Sequence, residues 1–334
     1  MEAALRDAAH GKAAVRLSAL ADLGRFASGP EAERVVRKLT GLLASDPEAE
    51  VRARAALALA DAKADNAAAA LMVAAKDPDE QVRQMAILAL GELGAPDRER
   101  IETVRAALDD PAAPLRFQAL VALHHLLGNL AGKEIETVLE TKFSDPDAEV
   151  RFVAIRVAEE RFVGRKPERP TWFIDKLKQA LVDEESFVRL LAAIVLHRAG
   201  EATDAKVLAD AVSARVGVRE IEDEQAAVEI AGELALEQAR AGLERRAFGW
   251  FGVSRDTFAW QARVALAKMA HPRAVQSILN DLDGWTWETR TMAAAAAGAA
   301  GLRAARARLL AMLGDESVAN PDTVRDALRQ IDAT

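Results

Sequence analysis

The chain has 334 residues, of which 51% are hydrophobic and only 4% aromatic, with no tyrosine and no cysteine. This supplies ample core, removes disulfides and thiolate chemistry, and speaks against β-sandwiches and barrels, which draw on aromatic and β-branched residues. A net charge of −8 argues against a dedicated nucleic-acid or anionic-membrane binder, since either needs a basic face.

In chain order, the first element to recur is a Val-Arg pair on a helix. With its first residue as position zero, the clear zeros are Val15, Val51, Val82, Leu115, Val150 and Val188, each followed by arginine (Arg16, Arg52, Arg83, Arg116, Arg151, Arg189). Alanine stands at +4 in all six (Ala19, Ala55, Ala86, Ala119, Ala154, Ala192). An apolar residue stands at +8 (Leu23, Leu59, Leu90, Leu123, Ala158, Leu196). The three positions share one helical face, and the alanine predicts a close approach of two backbones. Aspartate stands at −5 in five units (Asp46, Asp77, Asp110, Asp145, Asp183), with Pro47, Pro78, Pro111 and Pro146 after four of them. Asp-Pro predicts a helix start, with aspartate as cap and proline in the first turn. A second amphipathic segment follows each zero helix, as in Glu31–Ala44, Arg98–Leu108, Lys133–Phe143 and Trp172–Val182. Weaker units continue at Glu222, Phe258 and Thr289, and a last Val324-Arg325 closes the series. Each unit is thus a helix pair that buries its apolar face only by stacking on its neighbours.

The pattern Asp-Pro-x-x-x-Val-Arg-x-x-Ala-x-x-x-Leu, as from Asp77 to Leu90, resembles the HEAT repeat, in the short bacterial HEAT-like form also found in phycobilin lyases. The resemblance is strong over about residues 12–200 and partial beyond. It implies an all-α, right-handed α-solenoid of about nine HEAT-like helical hairpins, with first helices on the convex face and second helices on the concave one. One array is expected over 1–334: regular repeats over 1–200, irregular repeats with an aromatic-rich insert over 201–288, and a C-terminal repeat and cap over 289–334. The resemblance also implies that the column arginine bonds a neighbouring aspartate, which assigns Arg52, Arg83, Arg116 and Arg151 to structure.

Residues with chemical potential mostly have plainer accounts. His124 and His197 both stand at +9 but two repeats apart, too far to share a metal, and His124 and His125 point about 100° apart on one helix. HEAT-built deoxyhypusine hydroxylases use His-Glu pairs, and the sequence has no His-Glu dipeptide. Glu134, Glu136 and Glu140 alternate with Lys133 and Lys142 as a solvated mixed-charge face. The glycines at 24, 91, 200, 298 and 301 read as C-caps. No phosphate loop or dinucleotide fingerprint occurs. No catalytic residue, cofactor or metal is therefore expected. Met1–Asp7, charged from Glu2 onward, lacks the make-up of a signal peptide, and the apolar run Met292–Leu302 is too short to span a bilayer, so the expected location is cytoplasmic.

The stretch from Arg240 to Trp287 departs from the pattern. It holds Trp250, Trp260, Trp285 and Trp287, with Phe248, Phe251 and Phe258. These rings either plug gaps in small-residue packing or anchor a partner. Gly249-Trp250-Phe251-Gly252 falls between units and predicts an apolar loop, the kind of aromatic anchor that dominates interfaces. The second helices carry mixed charge toward the concave side: Arg34, Arg37 and Lys38, then Arg98, Glu99 and Glu102, then Glu134 and Glu136, then Lys176 and Lys178. The expected function is a non-catalytic protein–protein interaction scaffold. Its protein partner would bind the concave face or the aromatic loop through Trp250, Phe251, Trp285, Trp287, Arg245 and Arg246. The alternatives are a HEAT-like DNA glycosylase-type nucleic-acid binder, for which the C-terminal half offers Arg245, Arg246, Arg303, Arg306 and Arg308, and a phycobilin-lyase-like chromophore handler.

Overall fold

The computed structural model describes residues 1–26, 30–94, 97–128, 133–164, 169–249 and 255–333. Among them the chain forms twenty α-helices and four short 3-10 helices and no strand, so the all-α solenoid expectation holds. No helix among the described residues is long and apolar enough to cross a membrane. The helices gather into two compact units, 1–173 and 174–334.

In the first unit the column helices are Ala13–Gly24, Ala49–Asp61, Glu80–Glu92, Ala113–Leu127 and Ala148–Phe162. Val51, Val82, Leu115 and Val150 at zero are buried, as are the +4 alanines and Leu23, Leu59, Leu90 and Leu123 at +8. Between them run Ala32–Ser45, Ala68–Ala74, Arg98–Ala106 and Lys133–Lys142, each within a few residues of the predicted second segments where one was predicted.

The arginine column is a ladder. Arg16 bonds the Asp46 carboxylate through two nitrogens at 2.7 Å each, and Arg52 bonds Asp77 at 2.8 Å each. Arg83 bonds Asp110 at 3.1 and 3.3 Å, and Arg116 bonds Asp145 at 3.0 and 2.7 Å. The remaining Nη1 donates to the carbonyl at −5 of the same unit: His10, Asp46, Asp77 and Asp110, and again Asp145 for Arg151. Each fork therefore staples its own inter-helix turn to the turn of the next repeat.

This geometry corrects the expected cap. The −5 aspartate is not the N-cap. It accepts the N–H of the residue at −3, as Asp77 does from Asp79 and Asp145 from Asp147, which turns its carboxylate toward the arginine of the preceding repeat. The N-cap is the −3 residue, and Asp79 and Asp147 accept from the first-turn N–H groups. Proline at −4 precedes the helix and stiffens the turn rather than occupying its first position.

Burial raises the carboxyls of Asp77 and Asp145. The arginine bonds, the N–H groups of Asp79 and Asp147, and the nearby positive charges outweigh it and hold both below the ordinary aspartate value of 3.8. A carboxyl lowered on folding stabilises fully above its unfolded pKa, and that stabilisation is lost as pH falls through the folded value. Circular dichroism in a fixed, sub-denaturing urea concentration should show helicity falling as pH drops below about 3.8, with a smaller acid response in Asp145→Asn. An equal acid response in both proteins would show that the ladder does not carry it.

The second unit holds the column helices Ser186–Arg198, Ile221–Glu233, Ala259–Lys268, Trp287–Ala299 and Pro321–Ala333. Its core includes Leu190, Ile194, Leu243, Leu266, Ile278 and Leu309. The expected register at Glu222 is off by one: Glu222 is exposed, and the helix begins two residues before the buried Asp223, as the helices of the six clear units begin two before their zeros. Asp223 is the true zero, with Ala227 at +4 and Ala231 at +8, both fully buried. The second helix, whose start the sequence left open between Glu233 and Leu243, is Arg240–Phe248 after a 3-10 turn at Glu237–Ala239.

The +1 place in this unit is then Glu224, an acid where the six clear units carry arginine. Arg246, from the second helix, supplies the missing cation. It donates to Glu224 and, through Nη1, to Asp256 at 3.2 and 3.4 Å, and its Nε donates to the Val212 carbonyl at 2.6 Å. The rung persists with its charges rearranged. In the Thr289 unit Arg290 keeps the column place, donating to Gly284 O at 2.7 Å and, lacking an aspartate ahead, to Val318 O at 2.6 Å.

Two of the expected C-cap glycines are something else. Gly91 and Gly298 lie within their helices, and a Cβ at Gly91 would come 2.8 Å from Ala122 Cβ. A Cβ at Gly298 would come 2.5 Å from Ala327 Cα, and one at Gly232 would come 2.5 Å from Ala265 Cα. These glycines mark where successive column helices touch backbone to backbone, a consequence of the small-residue face.

Candidate functional site

The turn before Trp287–Ala299 is built like the Asp-Pro turns but with different residues. Gly284 takes the −5 place, since a Cβ there would come 2.7 Å from Thr289 Cγ2 and 2.9 Å from Asp281 O. Trp285 takes −4, the position of Pro47, Pro78, Pro111 and Pro146. The Arg290 bond to Gly284 O and the Thr286 side chain, which caps the helix at the Thr289 N–H, fix the backbone on both sides of it. Trp285 is fully exposed. Trp287, two residues on, is 39% exposed and donates from Nε1 to Glu316 O at 3.2 Å, so its ring lies against the following turn with an orientation set by that bond. Met292 and Leu310 of the same hairpin are also exposed. The turn thus holds one indole entirely in solvent on a fixed backbone, beside a second that is half tethered.

The other expected residues fall elsewhere. Trp250 and Phe251 lie outside the described residues. Arg246 is buried in the rearranged rung, inside the stack rather than at its surface. Arg245 is exposed, and with Glu244, Phe248, His271 and Arg273 it lines an open cleft of about 510 Å³. Of the remaining rings, Phe248 and Phe258 are buried, and Trp260 is partly buried under the Arg263 guanidinium, 5.4 Å from its centroid, so these three fill the irregular repeats.

Sequence reasoning missed a second aromatic cluster, in the first unit. Phe143, Phe162, Trp172 and Phe173 meet edge to face, with centroids 5.3–6.4 Å apart. It also missed the histidine partners. His124 pairs with Glu160 at 3.1 Å and His197 with Glu233 at 2.9 Å, the same +9 position reaching 36 residues on to a glutamate each time. Burial lowers the His124 pKa, and the charge and hydrogen bond of Glu160 only partly oppose it. Pairs joined across neighbouring repeats cannot be read from a dipeptide search. No group of three or more metal-ligating side chains gathers among the described residues.

No curated protein sequence matches the chain. Among solved structures, an engineered protein from a structural genomics programme is 19% identical, the match covering 99% of this chain and 98% of that one with a TM-score of 0.49. The complex of CpcE and CpcF of phycocyanin lyase from Nostoc sp. PCC7120 is 18% identical, covering 73% of this chain and 92% of that one with a TM-score of 0.43. The HEAT repeat family matches residues 36–124, a span that contains the Arg52–Asp77 and Arg83–Asp110 rungs and the start of the next. That match lies on the column that builds the ladder, so residues 36–124 carry HEAT repeats.

Proposed function

We propose that this protein is a non-catalytic interaction scaffold, a single repeat array that docks a protein partner through the aromatic turn at Trp285 and Trp287. The observation that carries the reading is the full exposure of Trp285 at a position where four other repeats place proline. An indole held in water by a fixed turn contributes nothing to the core, and tryptophan is the residue type most enriched at interface hot spots. The repeat period supports one array, since it runs from Val150 to Val188 with an ordinary step of 38 residues. Among the described residues, the column arginines and aspartates are engaged in the ladder, and His124 and His197 in His–Glu pairs, which supports a structural role for them.

Trp285→Ala should leave the melting temperature nearly unchanged, a stability effect within about 0.5 kcal/mol, as at exposed sites generally. It should weaken capture of the partner by about 2 kcal/mol, roughly thirtyfold, as for a hot-spot anchor. Side-by-side capture from a lysate of the source organism, with wild type and variant immobilised at equal density, measures this. Equal capture by both would remove the docking reading. A salt-sensitive band shift with duplex DNA would instead favour a nucleic-acid role.

A further inference from the structure

The cleft between the second helices Arg240–Phe248 and Pro272–Asp281 has a chemistry the ladder does not use. Arg273 is exposed, and its guanidinium lies 4.0 Å from the centroid of the Phe248 ring. Stacking on an aromatic face fixes the plane of a guanidinium and leaves its edge N–H groups free to form a fork. Arg245, exposed one turn before Phe248, contributes a second cation. Neither side chain has a carboxylate partner among the described residues, whereas the column arginines described above are bonded at both ends.

The histidine of the cleft is already engaged. His271 accepts the Ala274 N–H at Nδ1, so its proton sits on Nε2, which lies 3.1 Å from Glu244 and donates to it. Beside this paired histidine the cleft holds two arginines and one glutamate, an excess of cationic side chains on a chain of net −8. An open cleft of about 510 Å³ suits a side chain or chain end presented by another protein better than an enclosed small molecule.

We propose that this cleft binds the carboxylate of an acidic peptide segment, with Arg273 as the bidentate fork and Arg245 as the second contact. A phosphodiester chain fits less well, because it needs a run of cations along its length and here would meet Glu244 beside the pair. The proposal rests on the scaffold reading only for the ligand being part of a protein; the geometry that recognises the carboxylate stands by itself.

The test is fluorescence anisotropy of the full chain with a fluorescein-labelled glutamate octapeptide, its C-terminus free in one arm and amidated in the other. Arg273→Gln and Arg245→Gln should each weaken binding by about tenfold, the loss expected for one charge-assisted contact. Arg273→Lys should also weaken it, since lysine keeps the charge without the fork. Binding that survives amidation assigns the site to side-chain carboxylates, and binding that requires the free terminus assigns it to a C-terminal carboxylate. The double Gln variant binding as wild type, or a lysine octapeptide binding equally well, would overturn the proposal. Trp285→Ala should bind the octapeptide like wild type, so loss of peptide binding and loss of partner docking report on separate sites.

Discussion

Arg116→Ala is expected to destabilise the first unit by about 3 kcal/mol, among the largest effects of any single substitution in the chain. The reason is what it leaves behind. The Asp145 side chain is only 3% exposed, and it would lose both nitrogens of its fork and keep Lys142, 3.5 Å away, as its cation. The carbonyls of Asp110 and Pro111 would lose their donor as well. Removing one partner of a buried pair leaves the other without its fork, here with only Lys142 at 3.5 Å, which costs more than the pair contributes as a whole. Arg34→Ala is the matched control. Arg34 pairs with Glu2 where both side chains are more than half exposed, so solvent screens the pair and its loss should leave the midpoint nearly unchanged. Urea unfolding followed by circular dichroism separates the two; similar midpoints for both variants would mean that the ladder does not hold the repeats together.

The second large effect reverses the usual sign of a helix substitution. Exchanging glycine for alanine inside a helix ordinarily stabilises by about 0.5–1 kcal/mol, through helix propensity and reduced unfolded-state freedom. Gly41, exposed in Ala32–Ser45 with nothing within 4 Å of its would-be Cβ, should behave that way. Gly232→Ala should instead cost about 2 kcal/mol, because the new methyl would lie 2.5 Å from Ala265 Cα and 2.6 Å from its Cβ. The obstructing atom is backbone and cannot rotate away, so the two helices must separate. Thermal melts of Gly41→Ala and Gly232→Ala should move in opposite directions, and a stabilised Gly232→Ala would show that the column helices are less closely packed than described.

The legible part of this molecule was the part that repeats. Val-Arg, the +4 alanine and the Asp-Pro step recur because each is needed once per hairpin, so the chain period locates the column helices, and the resemblance to HEAT repeats implies that Arg52, Arg83 and Arg116 are structural. Position +9 was less legible, since it holds glycine at Gly91, Gly232 and Gly298, where backbones touch, glycine again at Gly24, where nothing approaches, and histidine where a glutamate of the next repeat comes within reach; a capping glycine and a contact glycine in the last turn look alike in sequence. The Glu222 register failed by one residue because the identifying arginine is absent there, its charge having moved to Arg246 on the other helix. The cleft at Arg245 and Arg273 was half seen. Arg245 was named, but Arg273 comes from the next hairpin, and nothing in the pattern of either helix marks the ring of Phe248 as its platform. Trp285 was visible as an aromatic out of place; its complete exposure came from the structure.

The docking role of the Trp285 turn is tested most directly by site-specific photocrosslinking, with benzoylphenylalanine placed at 285 and, in a separate protein, at Val73. Val73 is the fitting control because it too is a strongly exposed apolar residue, 74% accessible, on a helix of the first unit. In a lysate of the source organism, the probe at 285 is expected to give a discrete crosslinked species that the probe at 73 does not. The same species from both positions, or none from 285 while other surface positions yield one, would contradict the assignment of the Trp285 turn as the docking surface.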